Sequence, residues 1–164
     1  MLSLLQNEIQ LRICEESIPR ILHCLDLLSD EEVWFKPNQN CNTVGNLILH
    51  LNGNCRQWLL FNLLEIKFQR KRQDEFESRT YSKKDLIEIL EGLRSDISAN
   101  CHRVTEKDLG LEFEIQGINT TGLGIVVHVI EHFSYHTGQI ALLTKLIKNQ
   151  DLGFYGDNTK LDCQ

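Results

Sequence analysis

The spacing of apolar residues between positions 86 and 104 constrains the fold more than any other feature of the sequence. Six apolar side chains follow one another at intervals of four, three, four, four and three residues, namely Leu86, Leu90, Leu93, Ile97, Cys101 and Val104. This spacing places all six on one face of an α-helix. The preceding segment Ser82-Lys-Lys-Asp85 is typical of a capping box at a helix N-terminus. The region therefore predicts an amphipathic helix with one buried face.

Three further segments have helical spacing. We predict helices from about Leu4 to Leu28, from Asn42 or Thr43 to about Phe68, and from about Thr121 to Lys148. Pro19 lies inside the first of these and should kink or split it, with Ser17 as a cap for the second half.

Four amphipathic helices in a chain of 164 residues predict an all-α fold, a four-helix bundle. This length suits one ordinary domain, so we expect a single domain over residues 1–164. The connection between the second and third helices is long enough to cross the bundle. A short extended segment near 109–116 is predicted by the alternation of apolar with small or charged residues, the apolar ones being Leu109, Leu111, Phe113 and Ile115.

Charge and hydropathy exclude two classes of partner. The net charge is −6, whereas nucleic-acid binding depends mainly on Lys and Arg contacts to phosphates. One basic run, at 67–72, is followed at once by acidic residues, namely Asp74, Glu75 and Glu77. No segment approaches about 18 uninterrupted apolar residues, so we expect no transmembrane helix. The sequence thus predicts no nucleic-acid partner and no membrane partner.

The cysteines and the first residues bear on location. The opening sequence MLSLLQNEIQLRICEES mixes charged and polar residues into its apolar ones, unlike a secretory signal. We therefore expect a cytoplasmic protein with reduced thiols. The six cysteines include no C-x-x-C pair, which removes the usual zinc-ribbon and thioredoxin motifs. Gly153, Gly156 and Asp157 mark a loop-like tail.

The predicted fourth helix carries three histidines at four-residue intervals, His128, His132 and His136. Side chains four residues apart lie on the same helix face within about 6 Å, so an adjacent pair could bind one metal ion. All three could not easily do so, because each step of four residues turns about 40° around the helix. The spacing leaves open which adjacent pair would bind.

His50 is the best metal ligand from outside that helix, because it lies beside the apolar stripe of the predicted second helix. A single histidine on an apolar face is more often a hydrogen-bonded core residue. Two further histidines at ligand spacing in the same bundle favour metal binding here. Three imidazoles would leave coordination positions open, as in catalytic sites. His23 and His102 lack such neighbours and are interpreted as surface or packing residues.

Two other metal-site motifs compete with this interpretation. His128-Val-Ile-Glu131-His132 matches the H-x-x-E-H motif of inverted metalloproteases, in which Glu131 would activate water. The match is weak, because it fixes three residues in five and such enzymes need a further acidic ligand. Otherwise Glu131 is a solvated residue or accepts a hydrogen bond from an imidazole. A di-iron bundle is disfavoured, because the second helix lacks the Glu-x-x-His motif around His50.

Two segments resemble the DinB-like, or YfiT-like, superfamily of metal-binding four-helix bundles. They are Asn42–Asn54 (NTVGNLILHLNGN) and His132–Ile140 (HFSYHTGQI). The resemblance extends to Asp74–Phe76 and to the tail Asp151–Tyr155, so it covers nearly the whole chain. It implies a homodimer and a zinc or nickel site formed by His50, His132 and His136. His128 would then lie in the pocket wall or outside the ligand shell.

The resemblance also implies a chemistry. Members of the superfamily with assigned activity include bacillithiol S-transferases and mycothiol-dependent maleylpyruvate isomerase. A divalent metal ion and a low-molecular-weight thiol acting on a small-molecule substrate are therefore expected. Asn54 and Gln139, each about one turn from a histidine, could orient ligands or substrate, or could form core hydrogen bonds. No separate catalytic base is evident. A metal-dependent hydrolase, or a non-catalytic metal-binding or dimerisation module, remains the alternative.

Overall fold

Four long helical segments pack side by side in the computed structural model, which describes residues 1–156. In chain order the α-helices are α1 (Leu2–Ile9), α2 (Ile18–Leu27), α3 (Asp30–Val33), α4 (Val44–Cys55), α5 (Arg72–Glu77), α6 (Lys83–Asn100), α7 (Glu106–Gly110) and α8 (Gly122–Lys148). A π-helical segment, Gln10–Ser17, joins α1 to α2, and a second, Arg56–Leu63, extends α4. A 3₁₀ turn, Cys101–Arg103, follows α6. The all-α bundle is thus confirmed.

Hydrogen bonds at the helix ends show that the second and third long helices run in the same direction. Lys83 at the start of α6 donates from Nζ to the carbonyl of Leu28, just after α2 (3.0 Å), so α6 begins at the end of the bundle where the first long helix finishes. Arg103, just beyond α6, donates from Nη2 to the carbonyl of Leu64, just beyond the second helix (3.4 Å). The chain must therefore travel the length of the bundle between these two helices, as the long connection predicted. α5 lies within that connection.

Pro19 does not interrupt the first helix. A proline lacks an amide hydrogen and its ring collides with the carbonyl four residues earlier in a regular α-helix. The π-helical segment Gln10–Ser17 precedes it, and there Ile18 N–H donates to the carbonyl of Ile13, five residues back. Ser17 has helical dihedral angles and donates from Oγ to the carbonyl of Arg12 (2.7 Å). The prediction of Ser17 as a cap was therefore wrong.

The bounds of the other long helices follow local capping and turn chemistry. Ser82 forms the predicted capping box, since its Oγ accepts from the Asp85 amide (3.2 Å) and its own amide donates to the Asp85 carboxylate (2.7 Å). The second helix ends at Leu63, short of the predicted Phe68. Glu65 there has a φ of 57°, a left-handed conformation that a helix does not continue through.

The predicted extended segment is confirmed in part, as one strand of a β-hairpin. β1 (Glu112–Ile115) pairs antiparallel with β2 (Ile118–Thr121). Gln116 and Gly117 connect them with φ values of 56° and 77°, as a two-residue type I′ turn requires. β2 was not predicted from the sequence.

The first residues of that predicted segment are helical instead. Leu109 and Gly110 end α7, which begins at a capping box. Thr105 Oγ1 accepts from the Asp108 amide (3.2 Å) and the Thr105 amide donates to the Asp108 carboxylate (2.9 Å). A local cap therefore outweighs the alternating apolar pattern at these two positions.

The apolar faces of the four long helices meet in one core. The stripe of α6 that opened the sequence argument is buried, including Leu86, Leu90, Leu93 and Ile97. Four cysteines are buried with it, and burial raises the pKa of their thiols, those of Cys14, Cys24, Cys55 and Cys101. Asp157 and Cys163 lie outside the described residues. Within residues 1–156, no helix is long and apolar enough to cross a membrane.

Candidate metal centre

The N-terminal cap of α4 positions both His50 and the short helix beside it. Thr43 caps α4 by accepting from the Asn46 amide at Oγ1 (3.1 Å). The Asn46 side chain donates from Nδ2 to the backbone carbonyls of Glu75 (2.9 Å) and Phe76 (3.2 Å). These bonds tie α5 to α4 one turn before His50. The side chain of Glu75 is thereby brought to the imidazole of His50.

Three histidines from two helices converge. The Nε2 atoms of His50 on α4 and His132 on α8 are 2.9 Å apart. The rings of His132 and His136 have centroids 4.4 Å apart, and those of His50 and His136 5.1 Å apart. One ligand atom from each residue lies within 4.8 Å of the other two, close enough to hold one metal ion. His50 and His136 are each 9% exposed, so the group is largely withdrawn from water.

His128 lies next to this group but faces another partner. Its ring stacks on that of Trp58, with centroids 4.1 Å apart and planes at 34°. Asn54 donates from Nδ2 to His128 Nε2 (3.2 Å), which occupies that nitrogen's lone pair. Glu131 is exposed on α8. The H-x-x-E-H interpretation therefore gains no support from this arrangement, because the lone pair of its first histidine is already occupied.

A buried carboxylate holds the far side of His50. His50 Nδ1 lies 3.0 Å from Glu75 Oε2 and 3.2 Å from Arg70 Nη2. Because Arg70 already donates to the carboxylate, we assign the proton to Nδ1, which donates to Glu75 and leaves the lone pair on Nε2, the atom facing His132. Arg70 donates to both oxygens of the same carboxylate, from Nε to Oε1 (2.6 Å) and from Nη2 to Oε2 (2.7 Å). The side chains of Arg70 and Glu75 are 6% and 7% exposed. This carboxylate–histidine pairing is the arrangement that fixes the tautomer of metal-binding histidines.

An amide plays the same part for His136. Gln139, one turn further along α8, accepts from His136 Nδ1–H at Oε1 (2.7 Å). The remaining nitrogen, Nε2, therefore carries the lone pair. The sequence predicted that Gln139 either orients a ligand or forms a core hydrogen bond, and its contact with His136 is compatible with both roles.

The histidines of α8 favour their neutral forms. Burial, together with the neighbouring His136 and His50, lowers the pKa of His132 to about 3. Burial also lowers the pKa of His136 and of His128. Neutral imidazole is the form that binds metal, so these side chains are ready ligands at neutral pH without losing a proton.

Glu75 is ionised in the same environment. Burial alone would raise its pKa, but the hydrogen bonds and charges of Arg70 and His50 outweigh burial and hold that pKa below its ordinary value. The carboxylate therefore carries a full negative charge at neutral pH. It faces Arg70 and an imidazole N–H with little water between them.

Gly53 leaves the space in which this carboxylate lies. A Cβ atom at position 53 would overlap Oε1 of Glu75. We expect Gly53→Ala to displace the carboxylate, weaken metal binding and destabilise the fold by about 1–3 kcal/mol. Gly92→Ala on α6 is the matched control, because its Cβ would come no nearer than 3.9 Å to a side-chain nitrogen of Arg56. That control should gain about 0.5–1 kcal/mol of helix stability.

Denaturant unfolding without zinc measures the stability of each variant, and the gain in stability on adding zinc measures metal binding. If the Gly53→Ala variant is as stable as the Gly92→Ala variant and binds metal normally, the carboxylate does not need the space above Gly53.

Glu75 and Arg70 were missed as site residues in the sequence. Arg70 lies in a basic run and Glu75 in an acidic one, and each pattern is typical of solvated surface. α5 has only six residues, too short for apolar periodicity to reveal a buried face. The one available signal was the Asp74–Phe76 segment, which contributed to the family resemblance without being assigned a role.

Comparison with protein families covers most of the chain. A family model described as "Protein of unknown function (DUF1572)" matches residues 10–155. No curated protein matches the chain. The matched range includes His50, His132 and His136, together with Arg70 and Glu75.

Proposed function

The chain belongs to the DUF1572 family of proteins of unknown function, and we propose from its own geometry that it holds one divalent metal ion with His50, His132 and His136. The observation that carries this proposal is the convergence of three imidazoles within 4.8 Å. In His50 and His136, the Nδ1 atom is held by a hydrogen bond to Glu75 and to Gln139, respectively. That arrangement prepares ligands for a metal and has no evident purpose in a plain apolar core.

The donor set fits a divalent ion. The 2.9 Å contact between His50 Nε2 and His132 Nε2 fits a proton on one of the two nitrogens, and a divalent ion bound by both would take the place of that proton. Neutral imidazoles suit zinc and nickel, and also copper and iron. We propose zinc or nickel, the metals that the DinB-like resemblance implies. Three protein ligands would leave coordination positions for substrate, as in catalytic zinc sites.

We infer a low-molecular-weight-thiol S-transferase as the activity. A bound divalent ion supplies Lewis acidity, which lowers the pKa of a thiol that coordinates it. Among residues 1–156, the only carboxylate bonded to the three histidines is that of Glu75, and Arg70 already holds it. A thiol has an ordinary pKa of about 8.5 and zinc-bound water one of about 7, so neither nucleophile needs a spare general base. The preference for thiol transfer over hydrolysis comes from the DinB-like resemblance.

The chain's own side chains have positioning roles in this proposal. Glu75 and Gln139 orient the imidazoles of His50 and His136. The Phe76 ring lies 5.1 Å from the ring of His50, and the exposed Tyr135 ring lies 5.0 Å from that of His136. These two aromatic side chains border the histidines and offer apolar contact to an electrophilic substrate.

A thiol panel tests the activity. Protein loaded with zinc or nickel is mixed with bacillithiol, mycothiol, glutathione or cysteine and with monochlorobimane. In the reaction a carbon–sulfur bond forms, the carbon–chlorine bond breaks, chloride leaves and the thiol proton passes to the buffer. We expect fluorescence to rise faster than with the His136→Ala variant for at least one thiol. Equal rates for both proteins with every thiol would remove the transferase proposal.

Two other results would identify the alternatives. Turnover of 4-nitrophenyl acetate without any thiol, lost in the His136→Ala variant, would identify a hydrolase. A change in melting temperature on metal removal, without turnover of either substrate, would identify a non-catalytic metal-binding module.

We further propose that the protein forms a homodimer and belongs to the DinB-like superfamily. Several large apolar side chains of α8 are exposed, between 47% and 66%, namely Leu123, Val127, Tyr135, Leu142 and Leu146. An exposed apolar helix face of this kind favours contact with a second copy. The DinB-like resemblance of the segments around His50 and His136 supports the same assembly and a place in that superfamily.

A further inference from the structure

A cleft of about 740 Å³ lies between the first long helix and α8. Its α8 wall includes Ile130, Ser134 and Thr137, and Phe154 and Tyr155 also line it. None of the three clustered histidines lines it. Thr137 follows His136 directly, so it points about 100° away around the helix. The cleft is therefore a separate site.

The floor of the cleft has a polar group without a partner. Thr137 is 6% exposed, and its Oγ1 has no hydrogen-bond partner among residues 1–156. A helical threonine commonly returns its hydroxyl to the carbonyl four residues back, as Thr144 does to Ile140 (2.8 Å). Buried polar groups are usually paired, so this hydroxyl, which has almost no accessible surface of its own, is an unsatisfied group beneath the cleft wall.

Gly138 keeps the floor open. It lies inside the 27-residue helix α8, where glycine costs about 1 kcal/mol relative to alanine. A Cβ atom there would meet nothing within 4 Å, so no close packing requires glycine at this position. The missing side chain does enlarge the cleft, which Gly138 lines.

Arg20 supplies the cleft with an available positive charge. Its guanidinium lies over the rings of Phe154 and Tyr155, 5.7 and 5.4 Å from their centroids. Its side chain takes part in no ion pair or hydrogen bond within residues 1–156. A guanidinium that stacks through its face keeps its N–H edge for a carboxylate.

The other charges of the cleft are already paired. Arg12 donates to Glu8 (2.9 Å) and to Glu16 (3.1 Å), and both carboxylates lie one turn from it on the same helix. Arg12 and Glu16 therefore offer little net attraction to an ion. Arg20 is therefore the cation with which a negatively charged ligand in this cleft would pair.

We propose that this cleft binds a small carboxylate with a flat apolar body, such as an aryl carboxylate. The carboxylate pairs with Arg20, and the flat body lies against Phe154 and the α8 wall, where Gly138 leaves room for it. The site is independent of the histidines and of any metal they hold.

Phenylacetate and its neutral analogue phenylacetamide are suitable probes. Binding to the full-length protein is followed by backbone amide shifts in NMR. We expect phenylacetate to shift the amides of Thr137 and Gly138 with a Kd of about 1 mM or tighter. Phenylacetamide should bind about tenfold more weakly, because it lacks the charge-assisted hydrogen bond.

Four variants locate the binding. Arg20→Gln should weaken phenylacetate about tenfold, and Gly138→Leu should block the floor while favouring the helix. Arg79→Gln, a matched change at an exposed arginine outside the cleft, should bind as the wild type does. The His136→Ala variant should also bind normally.

Three results would overturn the proposal. The first is no saturable shift with phenylacetate, and the second is equal affinity in Arg20→Gln and wild type. The third is loss of binding in His136→Ala, which would place the carboxylate at the histidines instead.

Discussion

His50→Ala and His136→Ala are expected to lose the bound metal ion, whereas His128→Ala is expected to keep it. Each of the first two substitutions removes one of only three imidazoles whose ligand atoms lie within 4.8 Å. Changing a residue that merely supports a ligand typically costs 10–100-fold in metal affinity, so losing a ligand should cost more. His128 has a similar setting but its Nε2 is occupied by Asn54.

Elemental analysis of protein purified without a histidine tag measures the outcome. About one ion per chain is expected in wild type and in His128→Ala, and almost none in the other two variants. Circular dichroism spectra matching wild type would show that the folded state survives. If His128→Ala loses the ion while His136→Ala keeps it, the binding pair is 128/132 and the protease-like motif returns. If wild type takes up neither zinc nor nickel, the cluster is a core feature and the proposed chemistry fails.

Periodicity was sufficient to predict the four long helices, because each buries a stripe that recurs every three or four residues. It failed where local hydrogen bonding outweighs the pattern. The π-helical segment before Pro19 depends on bonds between residues five apart, which no apolar spacing encodes. β2, Ile118–Thr121, is mostly exposed and owes its conformation to pairing with β1. Ile118, Thr120 and Thr121 are β-branched and favour a strand, but four residues are too few to identify one without its partner.

The ligands of the histidine cluster could also be predicted only in part from the sequence. Helical spacing identified two candidate pairs on α8 and could not choose between them. The choice depends on the rotation of α8 against α4, which is a property of packing. In the structure that rotation places His132 and His136 towards His50 and places His128 against Trp58. The family resemblance made the same choice beforehand.

Arg70 and Glu75, which hold His50, could not be predicted from the sequence for a different reason. Charged residues are expected in water, and a short run of mixed charge carries no hint of burial. Glu75 is buried where the side chain of Asn46 holds the backbone of α5 against α4, and Arg70 is buried against the Glu75 carboxylate. The pairing joins residues from three segments, so only the folded chain reveals it.

Glu75→Gln is expected to lower both stability and metal affinity by large amounts. The substitution leaves the guanidinium of Arg70 without an anionic partner while its side chain remains only 6% exposed. Breaking a buried ion pair on one side typically costs about 3–5 kcal/mol, because the remaining charge is uncompensated. His50 also exchanges a charged acceptor for a neutral amide oxygen, a weaker partner for Nδ1–H, which should weaken metal binding about tenfold.

Glu77→Gln is the matched control, since Glu77 lies on the same helix with its carboxylate exposed and bonded to Gln73 (3.0 Å). Its effect on stability should stay within about 0.5 kcal/mol. Unfolding by urea in the presence of a chelator measures stability without the metal, and zinc titration calorimetry measures affinity.

A double variant separates the two roles of Glu75. Arg70→Met combined with Glu75→Leu removes both charges, so most of the lost stability should return. Metal affinity should stay low, because leucine cannot accept the proton of His50 Nδ1. If affinity returned together with stability, Glu75 would act only by neutralising Arg70. His50 would then need no carboxylate to present Nε2, and the orienting role argued for Glu75 would be wrong.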